Sequence, residues 1–305
     1  GQSEAFCERW NGNMRQTYFV TLVIEETCAS IIRNALDKVS DGRIRVTLVA
    51  LKNGDFMLHI LDNAVEFNPF MLNAKKVEKN KEFDIDGLRL DVAYCLDMDF
   101  LKRLRSFTEG LKKDFVLIGE LLHGDYNRFV NDEMCHSCTN YECYKGIYSS
   151  FNSMNMFEII HSLQRQFGSE PWALYRGKHL LAFADNHDVS RIASVITNKK
   201  HLPLVYGMVF GMPGIPCVYY GSEWGAEALK SQGDPALRAC FDEPIKNELT
   251  EFISKLAIAH RNSDALINGS FRSVVLQNSH CIFERKTNSE RVLVAINASD
   301  EPVIC

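Results

Sequence analysis

The sequence predicts an α/β protein with a parallel sheet or barrel and crossover helices at its centre, an α+β segment before it and short antiparallel strands after it. Three observations carry this expectation. From about residue 79, short apolar runs alternate with amphipathic stretches, the pattern of repeated βαβ units. Residues 44–61 instead hold two alternating runs around an Asn-Gly pair. Residues 271–296 hold three short runs with no helical stretch between them. The expected domains are therefore 1–78, 79–262 and 263–305.

Taken in order, residues 17–36 place Val20, Val23, Ile24, Ile31 and Ile32 at near-helical spacing, which predicts one helix. Ile44 to Leu51 and Phe56 to Leu61 read as an antiparallel pair, because Asn53-Gly54 supplies the positive φ values of a tight turn. The charged run Lys75 to Glu82 marks the domain boundary. Parallel strands are expected at Ile85 to Ala93, Phe115 to Leu121, more weakly within Tyr141 to Tyr148, then at Leu180 to Asn186 and Ile215 to Tyr220. Between them, Asp99 to Lys113 sets Phe100, Leu101, Leu104, Phe107 and Leu111 on one helical face, and Glu248 to Arg261 repeats the pattern. Leu202 to Gly221 is apolar enough to imitate a membrane span, but Pro203, Pro213 and Pro216 divide it into a buried helix, a turn and a strand.

The totals exclude some classes of function. A chain of 305 residues with 46% hydrophobic content can bury a sizeable core. Its net charge of −5 argues against a nucleic-acid or membrane-surface binder, since both partners want a concentrated basic patch. No basic and apolar leader opens the sequence, and ten scattered cysteines read as reduced thiols, so a cytoplasmic location is expected. Cys135, Cys138 and Cys143 flank His136, but no second pair closes a zinc site.

Three acidic residues sit at carboxyl ends of expected parallel strands: Asp91 in GLRLDVA, Glu120 in LIGEL and Asp188 in ADNHD. In a parallel barrel, active sites are built at that end. Retaining glycoside hydrolysis needs a carboxylate nucleophile and a carboxylic acid about 5–5.5 Å apart, which neighbouring strand ends can supply. Arg89 lies two residues before Asp91 and so shares its face of the strand, where a cation holds a carboxylate ionised. Glu120 lies in an apolar run that is expected to keep it protonated.

These three motifs resemble the second, third and fourth signatures of the α-amylase family of glycoside hydrolases, in the family's order, and the resemblance runs from about Phe83 to the end. It implies a nucleophile at Asp91, a general acid/base at Glu120 and a transition-state carboxylate at Asp188, with Arg89 orienting Asp91 and His187 bonding the sugar. GIPCVYYGSEWG is similar to the family's eighth barrel strand and its loop, and residues 271–305 to the start of its C-terminal β-sandwich. The family's first signature is absent: ILDNAVEFNPF is similar to it but has no His after Asn68. The fold class is thus α/β, a partial (β/α)8 TIM-type barrel with an N-terminal α+β segment and the start of a β-sandwich.

Residues 18–69 resemble instead the histidine-kinase-type ATPase fold, especially the anti-sigma-factor kinases. VIEETCASIIRNA and LHILDNAVEFNP carry the likeness, with Glu26 and Asp62 at matching positions. Ser30 stands at the magnesium-binding Asn position and Ala64 replaces the Gly. The function implied for the whole is retaining hydrolysis of α-glucans, such as maltooligosaccharides and starch-like substrates, by double displacement. The alternatives are an inactive glucan-binding fragment and a nucleotide-binding module at residues 1–78. No cofactor is expected, and no metal is assigned, because family calcium sites lie near the absent signature. Open barrel edges would allow self-association.

Overall fold

The computed structural model describes residues 2–10, 41–50, 56–62 and 85–304, together with residues 17, 20, 21, 23–25, 28, 31 and 32. The chain divides between Asp86 and Gly87 into two compact units. In the first, α1 spans Gln2–Arg9, and the described residues between 17 and 32 are helical. Strands β1 (Ile44–Ala50) and β2 (Phe56–Asp62) pair antiparallel, from Ile44 opposite Asp62 to Ala50 opposite Phe56. Asn53-Gly54, Glu26, Ser30, Ala64 and the run 75–82 lie outside the described residues.

The second unit alternates strands and helices. Strand β3 (Gly87–Leu90) leads into α2 (Met98–Leu111), which is capped where the Asp97 side chain accepts from Phe100 N at 2.9 Å. Of its apolar stripe only Leu101 is fully buried; Phe100, Phe107 and Leu111 keep 44%, 49% and 43% of their surface. Strand β4 (Val116–Gly119) follows, then the short β5 (Ser137–Cys138). Helices α3 (Tyr141–Asn152) and α4 (Phe157–Phe167) come next, then β6 (Leu181–Phe183), α5 (Leu202–Gly211) and β7 (Ile215–Cys217). A one-turn helix α6 (Asp234–Leu237) and the long α7 (Glu248–Arg261) follow, with short helices at Ile192–Val195 and Asp264–Asn268 besides.

The strand expected within Tyr141 to Tyr148 is a correction. Its aromatic content favours a sheet, yet Asn140 caps a helix there, its side chain accepting from Cys143 N at 3.2 Å. Cys143, Ile147, Ser150 and Phe151 then fall on one buried face at helical spacing. The parallel strand lies just before it, at β5.

Strands β3, β4 and β5 are parallel neighbours, β6 and β7 are another parallel pair, and a bridge from Thr139 to Leu181 joins the two sets. Among the described residues, the outer edges of β3 and β7 have no strand partner. One apolar core runs through Leu121, Ile147, Ile160, Leu163, Val205 and Phe283, and each such side chain contributes about 1.5–3 kcal/mol on burial.

Strands β8 (Ser270–Leu276), β9 (His280–Lys286) and β10 (Arg291–Asn297) form an antiparallel sheet in the order β10-β9-β8. It packs on the end of α5 without space to spare: a Cβ added at Gly211 would sit 2.8 Å from a Val294 methyl. The buried Arg285 donates to Gly211 O at 3.0 Å and fastens the same contact.

Candidate active site

The parallel register fixes the first pair of acids. Leu90 on β3 stands opposite Gly119 on β4, so Asp91 and Glu120 are the next residues of two strands that run side by side, about 4.8 Å apart. Glu120 N donates to Leu90 O at 2.9 Å and Ala93 N to Glu120 O at 3.0 Å, which extends the pairing beyond the strands. Space at Gly119 is tight: a Cβ there would meet Ala93 Cβ at 3.1 Å and Cys135 Sγ at 3.2 Å.

One guanidinium joins the two acids. Arg89 Nη1 bonds Asp91 Oδ1, and Arg89 Nη2 lies 2.7 Å from Glu120 Oε1. The second Glu120 oxygen accepts the backbone N–H of Val92 at 3.0 Å. Glu120 is buried at 5% exposure, whereas the Asp91 side chain is 62% exposed. The apolar surround expected of Glu120 is therefore a correction: its run is apolar in sequence, but its carboxylate faces a cation and an amide. The cause is strand alternation, which turns neighbouring Leu121 into the core and Glu120 toward Arg89.

The loop after β6 builds a second cluster. Asp188 Oδ2 lies 2.9 Å from His187 Nε2, and its Oδ1 lies 3.0 Å from Arg238 Nη2. Its own N–H donates to Asn186 Oδ1 at 2.9 Å. Asn186 Nδ2 in turn donates to Tyr141 OH at 2.7 Å. Tyr141, on the first turn of α3, links the clusters: burial pushes its hydroxyl up to about 12, and the charges of both Glu120 and Asp188 reinforce that shift. Arg89, Asp91 and Glu120 thus form one group, His187 and Asp188 another, with Tyr141 between them.

Behind Asp188 lies a buried polar frame. Asp185, 2% exposed, accepts from Ile192 N and from the Ser222 hydroxyl, each at 2.7 Å. Burial raises its carboxyl to about 6, while these bonds and Arg191 oppose the shift. Arg191 is 1% exposed and stacks over the Tyr219 ring at 4.3 Å.

Two hollows flank the acids. A cleft of about 710 Å³ includes Leu122, His123, Tyr141 and Lys145 in its lining, and another of about 510 Å³ includes Tyr220, Trp224, Arg238 and Phe241. Neither is lined by Asp91, Glu120 or Asp188 themselves, but Tyr141 and Arg238 connect each hollow to a cluster. Among the described residues, no group of three or more His, Cys, Asp and Glu is placed to hold a metal ion. Tyr141 and Arg238 are the members sequence reasoning missed. Tyr141 was hidden by its strand-like surroundings, and nothing local pairs Arg238 with an acid 50 residues earlier.

Comparison with known proteins decides the family. The Alpha-amylase model, described as the alpha amylase catalytic domain, matches residues 74–265, well over half of the chain. The chain belongs to the α-amylase family. A cyclomaltodextrinase of Geobacillus thermopakistaniensis (strain MAS1) is 27% identical over 237 residues, which cover 72% of this α-amylase-family chain and 38% of the relative. An intracellular maltogenic amylase of Bacillus subtilis (strain 168) is 27% identical over 223 residues, 70% of this chain and 37% of its own. The solved α-amylase of Anoxybacillus superposes with a TM-score of 0.67 at 24% identity, over 76% of this chain and 52% of that one. That likeness shows the (β/α) barrel fold. The chain spans well under half the length of the curated relatives it matches. These matches do not support the ATPase-type resemblance of residues 18–69.

Proposed function

We propose that this α-amylase-family chain carries the reacting residues of a retaining α-glucan hydrolase. The observation that carries the reading is the Arg89 guanidinium shared by Asp91 and Glu120. Neighbouring parallel strand ends suit the separation of about 5–5.5 Å used in retention, which is shorter than the 6.5–9.5 Å of inverting pairs. Asp91, open to solvent and aimed by Arg89, attacks the anomeric carbon. Glu120, carrying a proton in the glucan complex, gives it to the departing glycosidic oxygen, and a glucosyl ester forms on Asp91. Glu120 then takes a proton from the incoming water, whose oxygen displaces Asp91 and restores the α configuration. Asp188 and His187 grip hydroxyls of the sugar being cleaved and stabilise the oxocarbenium-like charge.

The names of the relatives, a cyclomaltodextrinase and a maltogenic amylase, support an α-glucan substrate. The double displacement uses two carboxylates and calls for no metal. Nine free cysteines among the described residues and the intracellular relative support a reduced, cytoplasmic setting. No helix among the described residues is long and apolar enough to cross a membrane. The edges of β3 and β7 that have no strand partner among the described residues are the places where a second copy would add.

The test is release of reducing ends from maltoheptaose, with the anomer of the first product followed by proton NMR. An α product, abolished in Asp91→Asn, is expected. A folded sample that binds maltoheptaose in a calorimeter without cleaving it would replace this reading with a glucan-binding one.

A further inference from the structure

Arg238 is held more firmly than a half-exposed surface arginine needs to be. Its side chain keeps 49% of its surface, and an exposed ion pair of this kind is worth only about 0–1 kcal/mol of stability. Yet the backbone on both sides of it is pinned. Leu237 O accepts from Arg191 Nη2 at 2.9 Å and from Tyr219 OH at 3.2 Å, and Ala239 O accepts from Tyr220 OH at 2.8 Å. Arg191 is itself fixed by Ser222 Oγ at 3.1 Å, and Ser222 by the buried Asp185 at 2.7 Å. Asp185 sits three residues before Asp188. The frame therefore ties the segment bearing Arg238 to the strand end that bears its acid.

The result at Asp188 is a carboxylate approached at both oxygens: Arg238 Nη2 donates to Oδ1 at 3.0 Å, and His187 Nε2 lies 2.9 Å from Oδ2. Contacts at both oxygens fix the plane of the group. Asp234 on α6 is 3.8 Å from the same Arg238 nitrogen, so it competes only weakly.

We propose that Arg238 is a positioning residue: it sets the plane of the Asp188 carboxylate and acts on a bound glucan only through Asp188. This deepens the hydrolase reading and rests on it. An acid that stabilises charge formed in the transition state loses most by misalignment at that stage, so the loss falls on kcat more than on KM.

The experiment compares the wild-type chain with Arg238→Gln, Arg238→Lys, Asp188→Asn and the double variant Asp188→Asn/Arg238→Gln, using maltoheptaose. For Arg238→Gln, kcat should fall about 10- to 100-fold with KM changed less than about threefold. Arg238→Lys should recover part of the loss, because it restores the charge without the fork. The double variant should be no slower than Asp188→Asn alone. An unchanged or raised kcat in Arg238→Gln would overturn the proposal, as would additive losses in the double variant. Should the wild-type chain not cleave maltoheptaose at all, the hydrolase reading fails, and the positioning role is decided by crystallography. Arg238→Gln must then show Asp188 turned away from His187, and an unmoved Asp188 refutes it.

Discussion

Val92 donates its backbone N–H to Glu120 Oε2 at 3.0 Å, and it does so from a left-handed backbone with φ of 45°. A β-branched residue rarely adopts that conformation, which costs on the order of 1–3 kcal/mol unless the surroundings impose it. The strain turns the chain immediately after Asp91 so that an amide faces the neighbouring acid. One short segment thus supplies a carboxylate, through Asp91, and a donor that holds a second carboxylate in place.

Removal of that second acid leaves its donors without an acceptor. Glu120→Ala is expected to lower stability by about 1–3 kcal/mol, since Arg89 and Val92 N–H each lose a nearly buried partner. Glu120→Gln keeps one carboxamide oxygen for one of them and should cost less, while removing the proposed proton donor. Urea denaturation of both variants checks the order. Equal losses would mean that the two bonds carry no weight.

Arg89 and Asp91 should separate stability from turnover. Arg89→Met strands the 5%-exposed Glu120 carboxylate without its cation, at a cost of about 2–4 kcal/mol. Asp91→Asn touches a side chain that is 62% exposed and should shift stability by less than about 1 kcal/mol. Asp91→Asn nevertheless removes the proposed nucleophile, so its effect is expected in hydrolysis alone. Thermal melts beside reducing-sugar assays make the comparison.

The buried Asp185 links stability to pH. Its carboxyl moves from 3.8 to about 6 on folding, chiefly through burial, with Glu223 adding to the rise and Arg191 opposing it. The folded state therefore prefers the protonated acid. That contribution is complete below about pH 4, and it is lost as the pH rises through 6, a change on the order of 3 kcal/mol. Asp185→Asn cannot ionise, so the wild-type chain should lose stability relative to the variant between about pH 4 and 7. Denaturant midpoints measured across that range would show a constant difference if the group were not involved.

Asn140 serves two structures at once. Its Oδ1 caps α3 through Cys143 N, and its side chain exchanges two hydrogen bonds with the buried Gln166 at 2.7 Å and 3.2 Å. Asn140→Ala removes the cap and leaves the buried Gln166 Nε2 without its acceptor, while Gln166 Oε1 keeps only the Cys143 thiol, at a cost of about 2–4 kcal/mol. Tyr141 follows the cap directly, so the variant should also weaken maltoheptaose cleavage even after stability is restored by low temperature. A calorimetric melt together with a rate at about 10 °C tests both halves.

Several parts of this protein could be read directly from neighbouring letters. Glu248 to Arg261 is helical to the residue, because Asn247 and Thr250 form a local capping box and the apolar spacing is regular. The three acid-bearing motifs were legible for the same reason, as was the turn that divides Leu202–Gly211 from Ile215–Cys217. Local order failed at Tyr141–Asn152, where tyrosines favour a strand but a buried cap and a buried helical face prevail.

Sequence alone pointed to the family and set the order of the acids along the chain, since signatures, caps and turns act within a few residues. Folding settled which groups meet. Glu120 finds Arg89 because Leu90 and Gly119 pair in register, and Asp188 finds Arg238 because a buried frame anchored on Arg191 carries that segment back across the strand ends. Those encounters join residues that are distant along the chain. They arise from strand pairing and desolvation, which no local pattern records.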